Sequence, residues 1–466
     1  MNPLIDSEGT ICAVSTPPGT GGIAVVRVSG REAFDVVARR WQGKPVGEMP
    51  SHTAHLGVML DTDGEPLDQV VVTVFRAPRS FTGEDVVEIS CHGSAWIQQR
   101  IVKALIASGA RLATPGEFTR RAVISGRLDL AQAEAVADLI AARSKASQRC
   151  ALGQMRGNLS NELKTLHDKL LHFTALIELE LDFSEEDVEF ADRTRLLELA
   201  DDVEQTISRL IRSFDAGNAI KNGLPVAIVG ATNAGKSTLL NALLDDDRAL
   251  VSDIPGTTRD VIEDTVALGG VLFRLTDTAG LRRSDDTVEQ MGIERSFRAI
   301  DRARLILWVA DGTVPASVTE TIGRQILERS ADRALIAIIN KRDRDDFDPA
   351  IERQVKALLP EGTPVASVSA RNPDDIDRLR RLIVDAAAIP DAGGDDVVIT
   401  NLRHYTALVS AREALRRVTD GLRCGLSGDL VGQDLREVID HLGTITGQVT
   451  TDAVLGEIFS HFCIGK

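Results

Sequence analysis

A glycine-rich loop near the middle of the chain has the composition and context of a phosphate-binding loop. Residues 230–237 read G-x-x-x-x-G-K-S, follow the apolar run Pro225–Val229 and precede a helical stretch over 238–244. Glycines let backbone N–H groups turn inward around phosphate oxygens, Lys236 can neutralise β- and γ-phosphate charge, and the Ser237 hydroxyl can ligate Mg²⁺. A glycine turn that binds nothing is the alternative, but the strand–loop–helix context favours nucleotide binding.

Three later segments indicate which nucleotide this loop would hold. Residues 277–280 (D-T-A-G) end an apolar run and can hold the Mg²⁺ shell and the γ-phosphate. Residues 340–343 (N-K-R-D) end the next run, and Asp343 can accept from the adjacent N1–H and 2-amino donors of guanine, a pair that adenine lacks. Residues 369–371 (S-A-R) can offer a backbone N–H to guanine O6. In this order the segments predict GTP.

The residues predicted to bind GTP on these grounds share a position at a strand end or a helix start. They are Asn233, Ala234, Gly235, Lys236, Ser237, Thr238, Asp277, Thr278, Ala279, Gly280, Asn340, Lys341, Asp343, Ser369, Ala370 and Arg371. Leu281 follows the D-T-A-G segment, where many GTPases carry a glutamine that orients water. Since an apolar side chain cannot orient water, hydrolysis must draw on other groups.

Composition predicts several folded domains in a cytoplasmic protein. A length of 466 residues corresponds to about three domains, and 43% apolar residues support packed cores. The five cysteines include no C-x-x-C pair, so neither a zinc site nor a disulfide framework is indicated. The first residues lack a basic and apolar leader, and no run reaches the roughly 18 apolar residues of a membrane span.

The charge pattern leaves nucleic-acid binding open. A net charge of −16 argues against a large basic surface. Two stretches, 143–172 and 401–424, are nevertheless rich in arginine and lysine. They are either solvated helix faces or two segments that together meet an RNA backbone, and composition does not separate the two.

The order of patterns along the chain predicts four segments. Residues 1–120 mix short strand patterns with helices, which indicates an α+β domain, and 121–222 are helix-periodic. Residues 223–388 alternate strands and helices as an α/β nucleotide domain, and 389–466 begin with a Gly/Pro/Asp linker and return to helix periodicity. Two lone helices cannot bury their apolar faces, so we expect them to pack on the 121–222 helices, with the nucleotide domain as an insertion.

With these residues placed, the chain resembles the MnmE/TrmE family of tRNA-modification GTPases over essentially its whole length. The motifs that carry the resemblance occur in the family's order. They are T-P-P-G-T-G-G at 16–22, F-T-G-E-D at 81–85, P-G-E-F at 115–118, L-D-L-A-Q-A-E at 128–134, N-A-G-K-S at 233–237, G-T-T-R-D at 256–260 and F-C-I-G-K at 462–466.

The resemblance implies a multidomain α/β and α+β protein. Its parts are an N-terminal folate-binding and dimerising domain, a discontinuous helical domain, and an inserted Ras-like P-loop G domain with a mostly parallel sheet. It also implies a homodimer and an FAD-dependent partner, MnmG, with FAD on the partner alone. Together such proteins add an aminomethyl-type group at C5 of the wobble uridine of certain tRNAs. The carbon comes from 5-formyl- or methylene-tetrahydrofolate.

The resemblance also implies how hydrolysis proceeds without the glutamine. The family's K⁺ ligands fall on Asn233, Ser252, Ile254 and Thr257, and Thr258 would join Ser237 on Mg²⁺. Such a cation can offset charge that develops in the transition state. Glu289 matches the glutamate that helps to place the attacking water, so the implied catalytic set is Glu289, Asn233 and Lys236. The implied GTP contacts therefore extend over Ser252, Asp253, Ile254, Pro255, Gly256, Thr257 and Thr258.

For the folate site the family matches fall on Arg27, Glu88, Arg127 and Lys466. A carboxylate can recognise the amino and N–H donors of a pterin, and basic groups suit a glutamate tail. Arg27 on a sheet face and Glu88 in a strand pair are the alternatives. Cys463, three residues before Lys466, is either a catalytic thiol needed for tRNA modification or a packing residue.

The sequence is compatible with three functions. The first is GTP hydrolysis that gates a tRNA-modifying complex. The second is a regulatory GTPase switch in ribosome assembly without base chemistry, and the third is a folate enzyme that GTP only regulates. The N-terminal segment and the terminal C-I-G-K favour the first, because an assembly factor needs neither.

Overall fold

The computed structural model describes residues 9–182, 193–244, 263–277, 298–330, 333–387, 397–449 and 452–460, with Phe462 and Gly465. Two compact units are distinguished. One comprises Met1–Ala137, Gln154–Ile207 and Ala407–Lys466, and the other comprises Asp138–Gly153 and Ser208–Thr406. Each is described below by itself.

The N-terminal part of the first unit is a seven-stranded sheet with helices, as the α+β expectation requires. The strands in order across the sheet are β3-β4-β5-β6-β2-β1-β7, antiparallel throughout except for the β1–β7 pair. Their bounds are β1 Ile11–Val14, β2 Gly21–Ser29, β3 Trp41–Gln42, β4 Thr53–Leu60, β5 Pro66–Phe75, β6 Val86–Gly93 and β7 Arg111–Leu112, with helices α1 Ala33–Ala38, α2 Ala95–Ala107 and α3 Glu117–Ile124.

Alternation along the strands divides the residues of this sheet between its two faces. Val26 and Val28 of β2 are fully buried in a core shared with α1 and α2. The intervening Arg27 points to the opposite face, because successive side chains in a strand alternate. On that face Phe118 of α3 packs against Ile11 of β1. One face therefore carries the apolar core, and the other carries polar groups beside an aromatic helix residue.

Four long helices follow the first sheet, and the expected helical periodicity is confirmed for them. They are α4 Leu130–Ala141, α5 Lys145–Met155, α6 Asn158–Asp182 and α7 Arg193–Asn222. The buried residues of α6 recur every three or four positions, as in a helix with one apolar face. They are Leu159, Leu163, Leu166, Leu170, Phe173 and Ile177.

The second unit holds a six-stranded sheet in the order β13-β12-β11-β8-β10-β9. All neighbouring pairs are parallel except β9–β10, so the expected mostly parallel sheet is confirmed. Apolar clusters cover both faces, as parallel sheets require. The elements are β8 Leu224–Gly230, α8 Lys236–Leu244, β9 Glu263–Leu268, β10 Val271–Asp277, β11 Leu305–Asp311, α9 Ala316–Arg329, β12 Ala334–Asn340, α10 Ala350–Leu358, β13 Val365–Ser367 and α11 Pro373–Ala387.

The chain then forms α12 Leu402–Arg423, α13 Gly428–Thr446 and α14 Asp452–Ser460. Within the first unit α13 lies along α6: Gly432 faces Ile177, and Arg436 Nη2 is 3.1 Å from Glu178 Oε1. The expected packing of the late helices on the earlier ones is therefore observed there. The helix-periodic stretch at the end of the chain is not one continuous helix, because it is broken between α13 and α14. Gly447, at φ 88°, ends α13 with its N–H on the Gly443 carbonyl, a conformation that favours glycine.

Candidate functional site

The carboxyl edge of the six-stranded sheet brings the sequence motifs together. The register places Val309 beside Gly230, Ile228 beside Asp277, and Asp311 beside Asn340. Gly230, Asp277, Asp311 and Asn340 are the last residues of four neighbouring strands, β8, β10, β11 and β12. Ligands of open α/β sheets bind at this edge. Three sequence motifs therefore lie at the same edge of the sheet: the phosphate loop, the D-T-A-G aspartate and the N-K-R-D segment.

The phosphate loop has a backbone that its glycines make possible. Gly230 and Gly235 have φ of 148° and 92°, and Asn233 has φ 66°, a value that asparagine tolerates better than most residues. A Cβ on Gly235 would lie 2.2 Å from Asn340 Nδ2, and one on Gly230 would lie 2.0 Å from the Val309 carbonyl oxygen. Both glycines are therefore required by close approach as well as by conformation.

Lys236 lies over this loop. It is 8% exposed, and its Nζ donates to the carbonyl oxygens of Gly230 at 2.9 Å and Ala231 at 2.7 Å. Ser237 and Thr238 are exposed in the first turn of α8. The ammonium and two hydroxyls thus stand at the positive end of a helix, an arrangement suited to anionic oxygens and Mg²⁺.

Asn340 joins the phosphate loop to the 369–371 loop, a role that the sequence did not reveal. Its side chain is buried, with Nδ2 donating to the Ala234 carbonyl oxygen at 2.9 Å and Oδ1 accepting from the Ala370 N–H at 3.1 Å. One amide therefore fixes the spacing between the segment expected at the phosphates and the segment expected at the base.

Asp343 and Lys341 are each held by a neighbour. A hydrogen bond from Ser369 lowers the pKa of the Asp343 carboxyl, which like any aspartate without a raised pKa is an anionic acceptor at neutral pH. Lys341, at φ 69°, places its Nζ 2.6 Å from Asp311 Oδ2. Burial acts to raise the pKa of Asp311, but the Lys341 and Thr313 hydrogen bonds outweigh it and lower that pKa. Asp311 was not predicted, although an aspartate at a strand end is a visible signal.

The backbone donors of residues 369–371 already have acceptors in the protein. Ser369 N–H donates to Asp375 Oδ2 at 2.8 Å, Ala370 N–H to Asn340 Oδ1, and Arg371 N–H to Ser369 Oγ at 3.2 Å. A guanine O6 at this loop would therefore share one of these N–H groups.

Several residues expected from the sequence lie outside the described part of the chain. They are Ser252, Asp253, Ile254, Pro255, Gly256, Thr257, Thr258, Thr278, Ala279, Gly280, Glu289, Cys463 and Lys466. Their proposed parts in GTP, Mg²⁺, K⁺ and folate binding stay predictions.

A second polar cluster lies on the N-terminal sheet. Arg27 of β2 and Glu88 of β6 are directly opposite each other in the register, and the Arg27 Nη2 lies 2.7 Å from Glu88 Oε1. The guanidinium carbon of Arg27 is 5.6 Å from the ring centroids of both Phe81 and Phe118. The pair is half-buried, and Phe81 is 37% exposed beside it. A cation, a carboxylate and an open aromatic ring therefore share one face.

Arg127 and the end of the chain approach the loops around this cluster. A Cβ on Gly83 would lie 3.2 Å from Arg127 Cγ, so the Arg127 side chain packs on the F-T-G-E loop. Ser15 Oγ donates to the Gly465 carbonyl oxygen at 3.0 Å, just beyond β1. The residue before Lys466 is therefore anchored to the N-terminal domain.

A buried ion network supports the same loop from beneath. Glu117 is 0% exposed and accepts from Arg111 and Arg121 at 2.5 and 3.0 Å. Arg121 also reaches Glu84 of the loop at 3.0 Å, and Glu84 accepts from Ser29 Oγ. Burial favours a higher pKa for Glu117, but these arginines and the Thr114 N–H lower it to about 2.

The basic helical stretches carry internal ion pairs. Lys169 Nζ is 2.6 Å from Asp202 Oδ2, Arg416 is 3.6 Å from Glu204, and Arg417 pairs with Asp434 at 2.8 Å. These charges are partly neutralised inside the first unit, which weakens a purely electrostatic argument for RNA binding.

Two further properties of the described residues bear on function. Within the described ranges no group of three or more His, Cys, Asp or Glu residues could hold a metal ion. None of the helices in these ranges is long and apolar enough to cross a membrane.

The fold and the motifs at the carboxyl edge of the six-stranded sheet define a multidomain P-loop protein with a guanine-type nucleotide site. Two family models match the chain: GTP-binding protein TrmE N-terminus over residues 10–127 and MnmE helical domain over 130–463. A protein of Parabacteroides distasonis named tRNA modification GTPase MnmE is 52% identical, over 98% of this chain and 100% of its own. A Bacteroides thetaiotaomicron protein of the same name is 50% identical, over 99% and 100%.

The chain therefore belongs to the MnmE/TrmE family of tRNA modification GTPases. Its expected enzyme class, a GTPase, is confirmed by this membership. Among solved structures, a GTP-binding protein from Sulfolobus solfataricus in complex with GDP is 17% identical, covers 48% of this chain and 66% of its own, and has a TM-score of 0.28, which is too low to support an argument.

Proposed function

We propose that the chain is a K⁺-stimulated GTPase that acts with an FAD-dependent MnmG-type partner on tRNA. The pair would add an aminomethyl-type group, as in carboxymethylaminomethyl, to C5 of the wobble uridine, with the carbon drawn from a tetrahydrofolate unit. The observation that carries the proposal is similarity along the whole chain to proteins named tRNA modification GTPase. Both polar clusters lie within that similarity.

For the nucleotide, we propose a division of tasks among residues of the strand-end edge. The Lys236 ammonium, which here donates to the Gly230 and Ala231 carbonyl oxygens, would donate to phosphate oxygens when GTP binds. Asp343, an ionised carboxylate that Ser369 hydrogen-bonds, would accept both guanine donors. Ser237, with Thr258, would hold Mg²⁺, which when bound neutralises phosphate charge.

The proposed K⁺ ligands are Asn233, Ser252, Ile254 and Thr257, with Glu289 placing the attacking water. Asn233 supports this proposal because it is exposed in the phosphate loop at φ 66°, with an amide oxygen of the kind that binds K⁺. When bound, K⁺ supplies positive charge where an arginine finger would otherwise act.

For the folate, we propose that Glu88 receives the pterin donors and that Arg27, Arg127 and Lys466 bind anionic or carbonyl oxygens. Both hydrogen bonds from Arg27 go to Glu88 Oε1. Oε2 can then accept from a pterin while the ion pair is kept. The open Phe81 ring beside the pair offers apolar surface for an aromatic ligand.

The remaining features of the proposal concern assembly and location. We propose a homodimer formed through the N-terminal domain, FAD on the partner alone, and a cytoplasmic site of action. Cys463 would serve tRNA modification from the terminus that Ser15 anchors through Gly465.

The experiment that tests the proposal is nucleoside mass spectrometry of tRNA from a strain lacking this gene. We expect the wobble-uridine modification to be lost, restored by the wild-type gene and not restored by Lys236→Ala. Asp374→Asn, which changes an exposed carboxylate of the same domain, should restore it fully. Unchanged modification in the deletion strain would contradict the proposal and favour a regulatory switch without base chemistry.

A further inference from the structure

Asp375 is a buried carboxylate next to the 369–371 loop. GTP hydrolysis by itself gives this carboxylate no role. It lies in the first turn of α11 and is 4% exposed. Its Oδ2 accepts the Ser369 N–H at 2.8 Å, and its Oδ1 pairs with Arg378 and lies 3.8 Å from Arg342 Nη1. Arg342 belongs to the N-K-R-D segment. One carboxylate therefore connects both segments expected at the base.

Ser369 is the residue through which Asp375 acts on the base-binding carboxylate. The Ser369 backbone N–H is held by Asp375, while its hydroxyl hydrogen-bonds Asp343 and accepts the Arg371 N–H. A shift of the Ser369 backbone would thus move the hydroxyl that orients Asp343. Since Asp343 must accept two adjacent donors at once, its alignment decides how well guanine is distinguished.

We infer that Asp375 is a positioning residue for guanine selection, acting through Ser369 on Asp343. The inference rests on the proposed guanine-nucleotide site. The competing explanation is that Asp375 only stabilises the start of α11, where a carboxylate interacts favourably with the helix dipole. Asp374 separates the two explanations, because it lies in the same first turn, carries the same charge and is exposed.

The test uses full-length protein with Mg²⁺ and compares the dissociation constants of GDP and inosine diphosphate, which lacks the 2-amino group. The ratio of the two constants reports the Asp343 contact, whereas a general loss of stability lowers both affinities together. We expect Asp375→Ala to reduce the preference for GDP about tenfold, the effect of losing one buried hydrogen bond to a charged group. Asp374→Ala should keep the wild-type ratio within about twofold.

Each outcome decides the inference. A folded Asp375→Ala protein with the wild-type ratio overturns it, as does an equal loss in Asp374→Ala. If Asp375→Ala fails to fold by circular dichroism, Asp375→Asn carries the test. Asparagine can keep an oxygen on the Ser369 N–H but turns its NH₂ toward Arg378. We therefore expect the preference for GDP to fall about threefold. An Asp375→Asn protein with the wild-type preference would overturn the inference. A wild-type protein without preference for GDP would instead refute the guanine site itself.

Discussion

Replacement of Glu117 by Gln removes the central anion of the buried network beneath the F-T-G-E loop. Glu117 is fully buried, and its pKa of about 2 compares with an ordinary value of 4.5. At about 1.4 kcal/mol per pKa unit, the ionised form stabilises the fold by about 3 kcal/mol at neutral pH. This value agrees with the cost of about 3–5 kcal/mol for breaking a buried ion pair by removing one partner.

The pH dependence distinguishes this origin from a general packing defect. Because the folded-state pKa is depressed, the stabilisation is fully present above pH 4.5 and is lost as the pH falls through 2. The difference in unfolding free energy between wild type and Glu117→Gln should therefore be about 3 kcal/mol at pH 7 and about 1 kcal/mol at pH 3.

The assay is hydrogen exchange by mass spectrometry on β1 and β6 peptides of the full-length protein, at both pH values. This reports the opening free energy of the N-terminal sheet apart from the rest of the chain. Glu32→Gln is the control, because Glu32 is exposed at the start of α1, and it should change stability by less than about 0.5 kcal/mol. An equal destabilisation at pH 7 and pH 3, or none at pH 7, would refute the electrostatic account.

Four further predictions concern the two sites. Asp343→Asn should shift preference from guanine toward xanthine nucleotides in a competition assay, and equal wild-type affinity for ATP and GTP would contradict the role of Asp343. Asn233→Ala should leave GTP binding nearly intact but lower kcat in K⁺; matching wild-type rates in K⁺ and Na⁺ would exclude a K⁺ site. Glu88→Ala should lose most 5-formyltetrahydrofolate binding by calorimetry, and full retention would move the folate site elsewhere. Cys463→Ser should abolish wobble-uridine modification with normal GTPase activity, whereas normal modification would leave the thiol a packing residue.

Local patterns predicted the long elements well, because periodicity records which face of an element is buried. The strand-type run at 22–28 lies within β2, and the helix-periodic run at 95–108 forms α2 at 95–107. β1 and β7 were not predicted. They are four and two residues long, and they pair with each other across about a hundred residues of sequence. Such pairing is decided by tertiary contacts.

A residue of the candidate site could be predicted when its side-chain type alone indicates its chemistry. A residue whose role depends on which strands are neighbours could not. Lys236 and Asp343 were predicted because phosphate charge and guanine donors demand them, and their roles stay predictions. The tether made by Asn340 and the supports given by Asp311 and Asp375 depend on which strand ends are neighbours, which the sheet order alone supplies. Likewise, the sequence offered Arg27 and Glu88 as separate ligands, and only the strand register shows that they form a pair.

The central claim, that this GTPase transfers a folate-derived carbon to tRNA, is tested most directly by reconstitution. Purified protein would be combined with its FAD-dependent partner, GTP, Mg²⁺, K⁺, unmodified tRNA, ammonium or glycine as the amine, and methylene-tetrahydrofolate labelled with ¹³C in the one-carbon unit. The measurement is the mass of the wobble nucleoside. We predict that the label appears in it, and that it is lost with Glu88→Ala. Continued GTP hydrolysis with no label in the wobble uridine would contradict the account.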